Sequence, residues 1–173
     1  SDSAKFLDFV MSCIFCAEHK ELRHFYKITV QAPLICATIQ RKVVRVMARL
    51  LILGAGGYGR TVAQAAAGMF EEIAFLDDQA AAALGPCVDY EKWKGIYQYA
   101  YPAFGNNELR KKWLDVLEQA GFSLPVIVHP RAWVSPSAVM EPGSVVLAMA
   151  CVGADSRVCR GAIINMGALI DHD

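Results

Sequence analysis

Apolar residues follow three regimes along this chain. Over residues 1–46 they mix with basic residues and cysteines, with no sustained period and no clear helix caps. At most a strand or two is predicted there, within 26–39. From Met47 the pattern becomes regular. Leu50–Leu53 is a continuous apolar run, as in a central parallel strand covered on both faces. A glycine-rich turn and a helical segment follow. "EEIAFLDD" predicts a second strand from about Glu72 to Leu76. "GIYQYAYPAFGNN" predicts a third, running to about Phe104, then a loop at Gly105, Asn106 and Asn107. In "NELRKKWLDVLEQAG" Leu109, Trp113, Val116, Leu117 and Ala120 share one helix face, and Gly121 is placed to end the helix. "PVIVH" predicts a fourth strand. Between Met47 and His129 there is room for one mononucleotide-binding half, not a full dinucleotide fold.

After Pro130 the period becomes six. Val134, Met140, Val146, Val152, Val158, Ile164 and Ile170 recur without a break. Two residues before each stands a small one: Ala132, Ala138, Ser144, Ala150, Ser156, Ala162 and Ala168. An α-helix cannot keep a strict period of six on one face. A left-handed parallel β-helix can, because each triangular coil takes three hexads. The aliphatic residue then fills the interior and the small one sits near the corner. Seven hexads make a little over two coils, with the lower end expected to rest on the nucleotide half. The predicted architecture is α/β: an atypical extension over 1–46, a small Rossmann-like parallel sheet over 47–129, and the first coils of the β-helix over 130–173.

The glycine turn carries the first candidate chemistry. Gly54, Gly56 and Gly59 match G-x-G-x-x-G between a strand and a helix. The first allows the tight turn, the second lets a phosphate approach the backbone, and the third lets helix and strand pack closely. Free N–H groups at the helix start supply an anion site. Asp77 and Asp78 end the second strand, where a ribose or base contact is expected. The motif alone fits a nicotinamide dinucleotide as well as a nucleotide-sugar. The short sheet and the hexads speak against an oxidoreductase, and a nucleotide-sugar-binding module without catalysis is a second alternative.

Composition narrows the class. Seventeen Lys and Arg balance seventeen Asp and Glu, which argues against nucleic acid or an anionic membrane as partner. No apolar run has the length of a membrane span. The six cysteines are scattered, as suits free thiols in a reducing cytoplasm. Cys13, Cys16, His19 and His24 are possible zinc ligands, but the gap between Cys16 and His19 is too short for a finger with its own helix. No metal site is expected, and the first 46 residues are read as dispensable.

An α/β half followed by hexads resembles the bacterial sugar acyltransferases of the sialic acid O-acetyltransferase type. Their relatives that N-acetylate UDP-4-amino-sugars belong to the same group. The likeness covers Met47 to Asp173 and includes "GAGGYG", "FLDD", "GNNELRKK", "HPRAWVSPSA" and the terminal "DHD". It implies acetyl transfer from acetyl-CoA to an amine or hydroxyl of a nucleotide-activated sugar. It also implies a cytoplasmic homotrimer with active sites between subunits. The sugar nucleotide would lie on Gly54, Gly56, Gly57, Tyr58, Gly59, Asp77, Asp78, Gly105, Asn106 and Asn107. His172 would be the general base, with Asp173 beside it. Tyr58 stands where many relatives have histidine or another polar residue. Relatives continue for several more coils, which hold most of the coenzyme A contacts, so the resemblance implies a truncated, inactive chain.

Overall fold

The computed structural model describes residues 48–173. Cys13, Cys16, His19, His24 and the rest of the 1–46 segment lie outside the described residues. The described chain begins with β1 (Arg49–Leu53), α1 (Gly57–Ala65) and β2 (Glu72–Leu76). A 3-10 turn (Cys87–Trp93), β3 (Tyr99–Pro102) and α2 (Asn107–Gln119) follow. The three strands form a parallel sheet in the order β2-β1-β3.

The continuous apolar run of β1 is explained by its central place. Leu50 and Ile52 face one side, with Val62 and Ala65 of α1. Leu51 and Leu53 face the other, with Leu76 and with Leu117 of α2. All four strand residues are fully buried, each worth about 1.5–3 kcal/mol. Gly121 ends α2 with a φ of +92°, as its place in the sequence predicts.

The helix face differs from the one predicted. Arg110, Leu114 and Leu117 are buried, while Leu109 is exposed. The reason is that α2 serves two neighbours. Trp113 and Leu117 pack on the sheet, whereas Leu114 meets the corners of the β-helix at Gly143 and Gly161.

The fourth strand is also placed differently. β4 (Ile127–Val128) pairs with β7 (Val145–Val146), not with β3. It is the first strand of the coil. β5 (Trp133–Val134), β6 (Val139–Met140), β8 (Cys151–Val152), β9 (Arg157–Val158), β10 (Ile163–Ile164) and β11 (Leu169–Ile170) complete the hexads. Three parallel faces result: β4-β7-β10, β5-β8-β11 and β6-β9. Partners lie one coil apart in sequence, as three hexads per turn of a left-handed β-helix require. Val146, Val152 and Val158 pack inside with Ala150, Ala138 and Ala162. Ser144 and Ser156 occupy small-residue positions and are buried. Their hydroxyls donate to the carbonyls of Glu141 (2.6 Å) and Asp171 (2.8 Å), which removes the cost of burying them. The corners take left-handed backbone every sixth residue: Gly143, Met149, Asp155, Gly161 and Gly167.

The coil does not rest on the α/β half by its lower end, as the sequence suggests. It packs by one side. Ile127, Val145 and Ile163 point outward from β4, β7 and β10 and join the cluster around Leu50, Ile52 and Tyr101. A β-helix face that is apolar outside as well as inside has a second surface to bury. Arg160 adds ion pairs to Asp115 (2.7 Å) and Glu118 (3.0 Å) of α2. No helix among the described residues is long and apolar enough to cross a membrane.

Candidate active site

Strand order locates the first half of the site. From β1 the chain moves to β2 on one side, then crosses to β3 on the other. The gap between the carboxyl ends of β1 and β3 is therefore the switch point, where open α/β sheets bind ligands. Gly54 enters it with φ +100°, a conformation that favours glycine. A Cβ on Gly59 would overlap the carbonyl oxygen of Gly54, whereas one on Gly56 or Gly57 would meet no atom within 4 Å. Gly56 and Gly57 are thus open to approach from outside, and no side chain caps the start of α1. Its first N–H groups have no acceptor within the helix.

The predicted contacts come together around this turn, but several are already engaged. The Asp77 carboxylate accepts from Ala55 N–H (2.7 Å), Gln79 N–H (2.9 Å) and Ala80 N–H (2.8 Å). Asp77 therefore ties the glycine turn to the end of β2. Asp78 is exposed and accepts from Cys87 N–H at 2.8 Å. Asn106 caps α2 by accepting from Leu109 N–H (2.9 Å). Asn107 accepts from Arg110 (2.8 Å), and Gly105 opens the loop beside them. Tyr58 turns inward: its hydroxyl is 2.7 Å from that of the fully buried Tyr101. Burial raises the pKa of both hydroxyls. Burial, then the Asp78 and Asp77 charges, push the Cys87 thiol up to about 11, so it is no nucleophile.

The three N–H donors hold the Asp77 carboxyl below the usual carboxylate range. A depressed pKa gives stability that is complete above the unfolded value of about 4 and lost as pH falls through the folded value. Asp77→Ala should lower the thermal midpoint at pH 7 by on the order of 5 °C. The difference should shrink as the pH drops below about 4. Thermal scans across pH check this; a pH-independent difference would mean the charge contributes nothing.

Two cations at this edge were missed in the sequence. Arg60 is exposed and donates to Ala55 O at 2.9 Å. Arg110 is buried under the loop that leaves β3. Its signal was its spacing: residues 110, 114 and 117 share one helix face.

His172 is the second candidate. It follows β11 and is exposed, with Nδ1 2.8 Å from Asp173 Oδ2. Nε2 lies 4.0 Å from Asp171 Oδ2, too far for a hydrogen bond. The coil below holds this segment. Asp173 N–H donates to Ala154 O (3.1 Å), and Ser156 Oγ donates to Asp171 O. A Cβ on Gly153 would overlap the Asp171 carbonyl, so the close approach depends on that glycine. His172 has its side-chain contacts with Asp171 and Asp173, not with the glycine turn.

This combination can be compared with known proteins. Residues 49–117 match the PglD N-terminal domain. The structure is similar to the acetyltransferase domain of PglB from Neisseria gonorrhoeae FA1090, solved in complex with acetyl coenzyme A. Identity is 38% and the TM-score 0.70, over 73% of this chain and 66% of that one. It is also similar to a GDP-perosamine N-acetyl transferase from Caulobacter crescentus in complex with CoA and GDP-perosamine. There the identity is 31% and the TM-score 0.68, over 73% of this chain and 64% of that one. This chain therefore spans slightly less than two thirds of either relative. The similarity in both cases runs through the α/β half and the β-helix together.

Proposed function

We propose that this protein is a sugar N-acetyltransferase, which moves the acetyl group of acetyl-CoA to the amine of a nucleotide-linked amino sugar. The observation that carries the reading is the join of a switch-point glycine turn to a coil presenting an exposed His172–Asp173 pair. Similarity to two acetyltransferases, one complexed with acetyl coenzyme A and one with CoA and GDP-perosamine, supports it.

The chemistry follows from the hydrogen bond. Asp173 accepts from Nδ1–H of His172, which leaves the Nε2 lone pair for a proton. An amino sugar is largely an ammonium ion near neutral pH. The ammonium first gives up one proton to solvent; the free amine nitrogen then attacks the thioester carbonyl while His172 takes a second N–H proton, and Asp173 stabilises the imidazolium that forms. The C–N bond forms, the C–S bond breaks, and the proton passes to the departing coenzyme A sulfur. The glycine turn, with Asp78 and the Gly105–Asn107 loop, holds the nucleotide. The sialic acid O-acetyltransferase reading uses the same base on a hydroxyl. The direct test is release of free thiol from acetyl-CoA by the full-length protein, offered amino and hydroxy forms of a nucleotide-sugar. Turnover only with the hydroxy form would overturn N-acetylation.

The same reading includes a trimer. Trp133, Cys151 and Leu169 stack outward on the β5-β8-β11 face, with Trp133 55% and Leu169 77% exposed. An apolar strip of this kind suits burial by another copy. A neighbouring copy would bring the glycine crevice of one chain to the His172 of another. Leu169→Glu with Trp133→Glu should shift sedimentation from trimer to monomer. A trimer that survives both changes would place the contact elsewhere.

A further inference from the structure

We propose that Arg110 is the built-in counter-charge for the phosphates of the bound nucleotide-sugar, acting from beneath the switch-point crevice by its field and not by direct contact. The inference rests on the nucleotide-sugar reading above. Arg110 is 8% exposed. Its Nε donates to Gly161 O (3.0 Å), and its Nη1 to Phe104 O (2.8 Å) and Gly105 O (3.3 Å). Its Nη2 donates to Asn107 Oδ1 (2.8 Å). Every one of these acceptors is neutral. Arg160, close by on the coil, is paired with two carboxylates, but Arg110 has no carboxylate partner among the described residues.

Burying a charge is expensive unless an opposite charge is near. Carbonyls satisfy the N–H groups but leave the net charge uncompensated. Packing alone does not explain an arginine here, because Leu114, one turn later, fills the neighbouring contact with the coil using an apolar side chain. The location does offer an explanation. Phe104 and Gly105 belong to the loop at the carboxyl end of β3. A Cβ on Gly54 would lie 3.2 Å from Ala103 O and 3.5 Å from the Phe104 ring, so the glycine turn abuts this loop. The guanidinium thus lies under the crevice between β1 and β3. A guanidinium that is itself buried is screened less than a surface charge, so it acts over several ångströms. A nucleoside diphosphate gains from it, and the nucleoside portion does not.

The experiment compares diphosphates with nucleosides. Calorimetric titrations use UDP, uridine, GDP and guanosine against the wild-type chain, Arg110→Gln and Arg110→Lys at low salt. Arg110→Gln should weaken diphosphate binding about tenfold and leave nucleoside binding within about twofold. Arg110→Lys should keep most of the diphosphate preference. If Arg110→Gln does not fold, Arg110→Met serves instead, because it keeps the packing of the side-chain stem and removes the charge; it should reduce the same preference. Equal weakening of diphosphate and nucleoside would reduce Arg110 to a loop anchor and overturn the proposal. So would an unchanged ratio in the folded variants. A wild-type chain that binds none of the four ligands overturns the nucleotide reading itself, and this inference with it.

Discussion

Replacing His172 by alanine should lower kcat of the full-length protein by about 10²–10⁴-fold, the usual effect of removing an acid–base group. KM for the nucleotide-sugar should change little. The reason is the separation of the two halves of the site. His172 has its side-chain contacts with Asp171 and Asp173, while the glycine turn is held by Asp77 and the loop after β3. Removing the imidazole leaves that binding surface intact. The side chain is exposed, so its loss opens no cavity and should leave the thermal midpoint within about a degree. Asp173→Asn should give a smaller fall, because an amide still orients the ring but cannot offset the imidazolium charge. Steady-state kinetics with both co-substrates check this. Near-normal turnover by the alanine variant would remove His172 from the chemistry.

Gly59→Ala should have the largest effect on the folded state. The added methyl would overlap the carbonyl oxygen of Gly54, which is backbone and cannot swing aside. Gly54 is also fixed, by its N–H bond to Leu76 O at 2.7 Å and by its left-handed φ. Relief requires moving α1 away from β1, and Val62 and Ala65 would leave the core with it. A cost of about 2–4 kcal/mol is expected, a large share of the 5–15 kcal/mol typical of a domain. The thermal midpoint should fall by about 10 °C or more, and nucleotide binding should be lost. Gly56→Ala is the contrasting case. A methyl there enters open space, so the midpoint should hold while nucleotide affinity drops. Calorimetry on the two variants separates packing from ligand approach. Equal midpoints would show that the third glycine has no packing role.

Local chemistry made much of this protein readable from its residues. The period of six could be read because each hexad repeats one short-range requirement: an aliphatic residue inside and a small one two positions earlier. The four apolar residues of β1 announced a strand covered on both sides. The glycine spacing announced the turn, since Gly54 answers to a backbone angle and Gly59 to a close approach. Corner geometry was harder. Met149 and Asp155 take the left-handed backbone that glycine takes at the neighbouring corners, so no residue type marks those positions.

What could not be read locally are the decisions made by neighbours distant in sequence. "PVIVH" has a strand composition, but composition does not name a partner. Ile127 pairs with Val145 because the coil closes there, three hexads on. Leu109 and Leu114 are equally apolar. The second is buried because Gly143 and Gly161 leave room for it at two corners of the coil. Arg110 reads as one more solvated cation among Lys111 and Lys112 until the coil covers it and Gly161 O accepts a hydrogen bond from its Nε–H. Asp77 reads as a ligand contact; that its carboxylate also accepts from three of the chain's own N–H groups is seen only in the fold. Periodicity and turn chemistry, being set within a few residues, were determined by the sequence alone. Which side chain is buried, which carboxylate is free and which cation lacks a partner depend on surfaces that meet only when the coil packs sideways on the sheet, and that meeting belongs to the tertiary structure.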